Sequence, residues 1–162
     1  MPAPAAIGWF LPFVAPIAIW VAWSDMKFMK IPNKAVIALM LVYVVAGLLI
    51  LPLGTWAWGF ALLGIVLAAG FGASTLRLVG AGDAKFAAAM APFFVGGDAR
   101  FILALLAACI LAAVVSHGVM KRIPAFRRAA PDWASWTHKD FPMGLALAGT
   151  LVFYLLAAIL LK

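Results

Sequence analysis

An all-α, polytopic membrane protein is the fold class this sequence predicts, and three observations predict it. The chain of 162 residues has a mean hydropathy of +1.16, and only 10% of its residues are charged. A soluble domain of this size cannot hide so much apolar surface. Several apolar runs approach the roughly 20 residues needed to cross a bilayer. When those runs are drawn as crossings, ten of the twelve basic residues fall on one side, as loop charge does in membrane proteins. A single domain over residues 1–162 is enough.

Six runs can be drawn. The first extends from about Ile7 to Trp23, the second from Ala35 to Leu53, the third from about Trp56 to Leu76. The fourth is short, Ala84 to about Val95. The fifth covers Phe101 to Met120 and the sixth about Phe141 to Leu161. Pro32, Pro52, Gly54, Gly80, Gly82, Gly96, Gly97, Pro124 and Pro131 punctuate them. The first run does not read as a cleaved signal peptide, because the positive charges Lys27, Lys30 and Lys34 follow it instead of preceding it. That order puts the N-terminus outside the cytoplasm, and six crossings return the C-terminus to the same side. Lys27, Lys30, Lys34, Arg77, Lys85, Lys121, Arg122, Arg127, Arg128 and Lys139 then share the cytoplasmic side, and Arg100 and Lys162 the other.

The net charge of +7 is accounted for by this topology and needs no nucleic-acid partner. The one cysteine, Cys109, lies inside an apolar run and reads as a small buried residue. No Cys/His cluster is present to hold a metal, so no metal and no cofactor are expected. The loop Lys121 to Asp140 mixes basic residues with Phe126, Trp133 and Trp136, a pattern expected to lie on anionic membrane lipids with its rings in the interface.

The acids carry the chemistry. Glutamate is absent, and the five acids are Asp25, Asp83, Asp98, Asp132 and Asp140. Asp25 ends the first run and Asp83 opens the fourth, both at the cytoplasmic boundary. From Ala84 to Val95 an α-helix rises only about 18 Å against a hydrocarbon core of roughly 30 Å, so Asp83 is expected below the membrane surface, where an ionisable group marks a functional site. Two carboxylates held close share a proton. The ionised member takes a proton from water and the protonated member polarises a carbonyl, which is the logic of aspartic proteases. Peptide hydrolysis is the reaction this pair suits. Gly80 and Gly82 leave room for an extended peptide and permit unusual dihedrals. Other roles fit the same residues. Asp83 is a good N-cap for a helix beginning at Ala84, and Asp25 alone reads as a solvated loop acid. Asp140 reads as the cap of the last helix, with Pro142 near its first turn. Asp98 and Asp132 read as ordinary loop acids, and His117 and His138 as interfacial polar residues.

Three motifs carry a family resemblance. "DMKFMKIPN", Asp25 to Asn33, resembles the Asp-x5-Ile-Pro-Asn signature of type IV prepilin peptidases. "GAGDAKF", Gly80 to Phe86, resembles the Gly-x-Gly-Asp-x-Lys motif of that family, and "FPMGLALAG", Phe141 to Gly149, its Pro-x-Gly segment. The resemblance spans nearly the whole chain. It implies a GxGD-type membrane aspartic endopeptidase that removes the leader from prepilins at the cytoplasmic face of the bacterial inner membrane. The matching catalytic positions are Asp25 and Asp83, with Ile31, Pro32, Asn33, Gly80, Gly82 and Lys85 as supporting or substrate-binding positions. Many members carry a bulkier residue where this chain has Ala84, a departure expected to alter packing, not chemistry. The chain looks like the short form of tight-adherence (Flp-type) pilus systems, without the N-terminal region linked to methyltransferase activity, and that activity is not expected. The archaeal preflagellin peptidases share the same logic. A non-enzymatic membrane component of a pilus or secretion assembly is the competing class; it would not need both aspartates. A proton-relay transporter would need polar residues on several facing helices, and the second, third and fifth runs supply almost none. The sequence carries no sign of oligomeric state.

Overall fold

Five of the seven α-helices among the described residues start at or beside a proline. Proline has no N–H to lose in a first turn, and its fixed φ suits helix entry. The computed structural model describes residues 5–161, which form helices and 3-10 turns joined by short connections. A 3-10 turn at Ala5–Phe10 runs into α1 (Leu11–Phe28), then come α2 (Asn33–Ile50), α3 (Leu53–Thr75) and α4 (Ala81–Met90). A second 3-10 turn at Ala91–Phe94 precedes α5 (Ala99–Arg122), α6 (Pro124–Ala129), a third such turn at Ala134–Trp136, and α7 (Met143–Leu160). Pro32, Pro52 and Pro142 stand at the caps of α2, α3 and α7. Lys162, assigned above to the side away from the other bases, lies outside the described residues.

Five stretches are long and apolar enough to cross a bilayer: Ala6–Phe28, Asn33–Ile50, Leu53–Thr75, Ala99–Arg122 and Met143–Leu160. Their outward faces carry large apolar side chains such as Ile19, Leu49, Phe71 and Leu160, suited to lipid. The protein is a polytopic helical membrane protein. The expected short fourth segment is α4 with its 3-10 turn. Ten α-helical and four 3-10 residues rise about 15 Å and about 8 Å, less than the roughly 30 Å hydrocarbon core.

α4 starts three residues earlier than the apolar run suggests. The cap position belongs to Gly80, and Asp83 sits inside the first turn. Asp83 is therefore not the N-cap; Ala81 and Gly82 are already helical because nothing in "GAGD" forbids the α region. α4 lies against α3 and α2, and α7 packs between α1 and α5. Ala84 is buried, and a Cβ on Gly70 of α3 would lie 3.0 Å from the Ala84 Cβ. The small residue at position 84 thus sets the close approach of α3 and α4.

Away from the aspartates an aromatic cluster ties four helical segments together. Phe10 meets the edge of Phe93 at 5.0 Å between ring centres, and Tyr43 meets Phe93 at 5.3 Å and Phe60 at 5.7 Å. Edge-to-face pairs of this kind contribute about 0.5–1.5 kcal/mol beyond their buried area. Tyr43 has no exposed surface, and its hydroxyl donates to the Trp56 carbonyl at 3.0 Å.

The segment from Lys121 to Asp140 departs from the expectation of a loop with all its rings in the membrane interface. Trp136 is buried; it stacks on His117 of α5 at 5.5 Å and on Trp133 at 5.4 Å. Its indole N–H donates to the Ala130 carbonyl at 2.7 Å. Lys27 pairs with Asp132 at 2.9 Å and holds that carboxyl below its usual range, chiefly by the hydrogen bond. The segment is strapped to α1 and α5, and Phe126 is the ring that stays exposed. His117 and Asp132 are correspondingly contact residues, not free interfacial or loop groups. Asp98 caps α5, accepting from the Arg100 N–H at 2.8 Å.

Candidate active site

Asp25 lies in the last turn of α1, with 5% of its surface exposed. It is no solvated loop acid. α1 ends at Met29, whose φ of 52° turns the chain out of the helix, and Ser24 Oγ donates to the Lys30 carbonyl at 2.9 Å. The chain thereby folds back under the Asp25 carboxylate before Pro32 starts α2. Ile31 is carried against α4: a Cβ on Gly82 would sit 3.6 Å from the Ile31 Cβ, an ordinary contact. Asn33 is exposed in the first turn of α2.

The partner of Asp25 comes from the far end of the chain. The Gly144 N–H in the first turn of α7 donates to Asp25 Oδ2 at 2.7 Å. The first N–H groups of a helix have no partner within it, and Asp25 satisfies one of them. Hydrogen bonds to a charged group are worth about 1.5–3 kcal/mol. Asp140 therefore does not cap α7. Its backbone N–H donates to His138 Nδ1 at 3.1 Å, and its carboxylate faces the same imidazole at 3.7 Å. The contact with Gly144 is tight: a Cβ there would stand 2.9 Å from the Asp25 Cβ.

Asp83 folds back over Gly80. Its Oδ2 lies 2.6 Å from where a Cβ on residue 80 would be, the arrangement of an acid in the first helical turn reaching toward the cap. Gly80 has φ −63° and ψ 141°, values any residue adopts, and Gly82 has no positive φ. The expectation that these glycines serve unusual dihedrals is therefore corrected; Gly80 serves close approach. Both carboxylates stand at helix N-termini, Asp83 on its own helix and Asp25 on α7. The partial positive charge there offsets part of the cost of holding a carboxylate in apolar surroundings.

The two aspartates open onto one cavity of about 850 Å³, and the charge of Asp25 acts on Asp83. Ile31, Asn33, Gly80, Gly82 and Lys85 line the same cavity. Pro32 does not; it starts α2. The lining also includes residues not singled out by sequence as site residues, among them Met29, Lys30, Arg77, His138 and Asp140. The Gly144 contact was also missed, although the Pro-x-Gly segment at 142–144 marked the place. A buried Asp25 and a half-buried Asp83 that line one cleft can divide acid and base roles between them.

The type IV leader peptidase family matches this chain over residues 12–117. That stretch contains Asp25, Asp83 and the residues around each, and it stops before α6 and α7. Among the curated proteins and among the solved structures, nothing matches the chain.

Proposed function

The chain belongs to the type IV leader peptidase family, and from that premise we propose that it is an aspartic endopeptidase using Asp25 and Asp83 as its catalytic pair. The observation that carries this reading is that two aspartates far apart in sequence line one cavity, each at a helix N-terminus. One carboxylate takes a proton from water as the oxygen attacks the scissile carbonyl. The other, protonated, donates to that carbonyl and stabilises the charge that develops on it. Collapse of the tetrahedral intermediate returns a proton to the leaving amine and breaks the C–N bond. The roles belong to the pair, because coupled carboxylates titrate together.

The substrates are prepilins, with the Flp-type class first to test, and the cavity end faces the cytoplasm of the bacterial inner membrane. The ten-to-two distribution of basic residues supports that orientation. The supporting positions act through geometry. Ile31 and Gly82 hold α4 against the start of α2, Pro32 and Asn33 form the entry to α2, and Lys85 faces the substrate. Co-expression with candidate prepilins, followed by N-terminal sequencing of the products, tests the reading. Unprocessed prepilin beside a well-inserted wild-type chain would sink it in favour of an assembly component.

The two motif glycines are expected to behave differently. Gly80→Ala places a methyl group where the Asp83 carboxylate now lies. The side chain can swing away, so the fold survives while cleavage falls roughly 10²-fold, the scale of a misplaced catalytic group. Gly82→Ala meets Ile31 at ordinary contact distance and is expected to retain most activity. Initial rates on one prepilin peptide, with melting temperatures in detergent, check the contrast.

A further inference from the structure

The bond between Gly144 and Asp25 comes from a helix start that α7 does not secure by itself. No side chain caps α7, and the carboxylate of Asp140, just upstream, faces His138. Helix ends without a cap fray. The Gly144 N–H nonetheless reaches Asp25 Oδ2 at 2.7 Å, in a contact too close for an added methyl group.

Phe141 stands immediately before the Pro142 cap position. Its ring lies edge-to-face with His117 of α5, at 5.8 Å between ring centres. His117 stacks on Trp136 with their planes 10° apart, and Trp136 stacks on Trp133. The residue before Trp133, Asp132, pairs with Lys27 of α1, and the turn at Ala134–Trp136 packs on α1 as well. Lys27 lies two positions after Asp25, and Phe141 three before Gly144. A continuous run of side chains thus joins the last turn of α1 to the entry of α7, the two parties to the bond. At His117 that run is held by ring packing, which fixes both distance and angle: its Nε2 is buried without a hydrogen-bond partner among the described residues.

We propose that His117, Trp136 and Phe141 are positioning residues for the reaction, a ring clamp that fixes the start of α7 so that the Gly144 N–H stays on Asp25. The clamp rests on the peptidase reading above and adds to it the residues that aim one member of the pair. His117 and Trp136 do not line the cavity; they act through Phe141 and Gly144.

The test uses the full chain in detergent and one prepilin peptide. Trp136→Leu and His117→Ala each remove one ring of the stack. Both are expected to lower kcat about tenfold or more with KM kept, since a displacement of about 1 Å can cost roughly 10²-fold. Two further readouts separate this from a mere loss of folded enzyme. The acid limb of the kcat profile should move up by about half a pH unit, because an ionised carboxylate that loses an N–H donor holds its proton more tightly. Amide exchange over residues 143–147 should quicken about tenfold. His117→Phe keeps both ring contacts and should behave as wild type in all three readouts. Phe126→Ala, which removes an exposed ring of the same segment, should do so too. An unaltered acid limb and unaltered exchange in the two ring-removing variants, whatever their kcat, would overturn the clamp, and so would a failure of His117→Phe to restore them. If Trp136→Leu does not fold, His117→Ala decides by the same readouts. If no chain cuts any prepilin but exchange over 143–147 depends on the two rings, the clamp on Gly144 stands and the peptidase reading falls.

Discussion

An Asp83→Asn chain is expected to insert and fold normally and to leave prepilin leaders in place. Asparagine keeps the shape that folds over Gly80 and can neither ionise nor donate a carboxylic proton. Removing a general acid or base costs roughly 10²–10⁴-fold in rate, enough to leave a co-expressed prepilin unprocessed. Asp25→Asn is expected to match it. The Asp25→Asn, Asp83→Asn double variant should be no worse than either single, because groups that act as one unit are strongly non-additive. Asp98→Asn, Asp132→Asn and Asp140→Asn serve as controls that keep substantial activity. The pH profile of the wild type should be bell-shaped. Cleavage is lost at low pH when both carboxylates are protonated, and at high pH when both are ionised. Immunoblot-matched levels and the fraction of cleaved prepilin decide the matter. If Asp83→Asn cleaves at the wild-type rate, the aspartic mechanism is wrong.

Gly144→Ala is expected to damage the enzyme almost as much, without touching either carboxylate. The new methyl group would stand 2.9 Å from the Asp25 Cβ. A Cβ is fixed to the backbone and cannot swing aside as a carboxylate can, so α1 and α7 must part. Overpacking of this kind costs about 1–3 kcal/mol, and the hydrogen bond to Asp25 lengthens with it. Both melting temperature and cleavage should fall, cleavage by roughly 10²-fold, the penalty for a misplaced reacting group. Gly149→Ala is the control on the same helix: its nearest neighbour would be the Cys109 sulfur at 3.8 Å, and it should behave as wild type. Equal behaviour of the two variants would refute the close-contact argument.

How much of this could be read beforehand depends on distance along the chain. Five membrane-length helices with a short helical segment among them, and Asp25 and Asp83 as residues of one cavity, were legible, because hydropathy and short motifs are local signals. The start of α4 was misread because an apolar run marks where lipid-compatible residues begin, not where α-helical backbone begins. Asp140 looked like the α7 cap because it lies close before it; the aspartate that does serve that helix is in α1. Tyr43 and Phe93 are buried while Phe71 faces outward, and hydropathy cannot separate them, since protein interior and lipid are equally apolar. Trp136 was placed at the interface for the same reason: an indole suits both a membrane boundary and a packed strap, and only His117 opposite it decides.

The bond between Gly144 and Asp25 joins residues 119 positions apart, and this bears on how the protein is made. α1 enters the bilayer early in synthesis, and α7 is the last helix among the described residues. Until α7 inserts, Asp25 lacks the donor that satisfies it, and a buried polar group left without a partner costs about 1–3 kcal/mol. The nascent chain therefore has reason to keep the end of α1 hydrated and loose, whatever the state of α4. On the reading proposed above, the surroundings of Asp25 are complete only once α7 has docked on α1, so a chain cut before α7 is expected to lack activity.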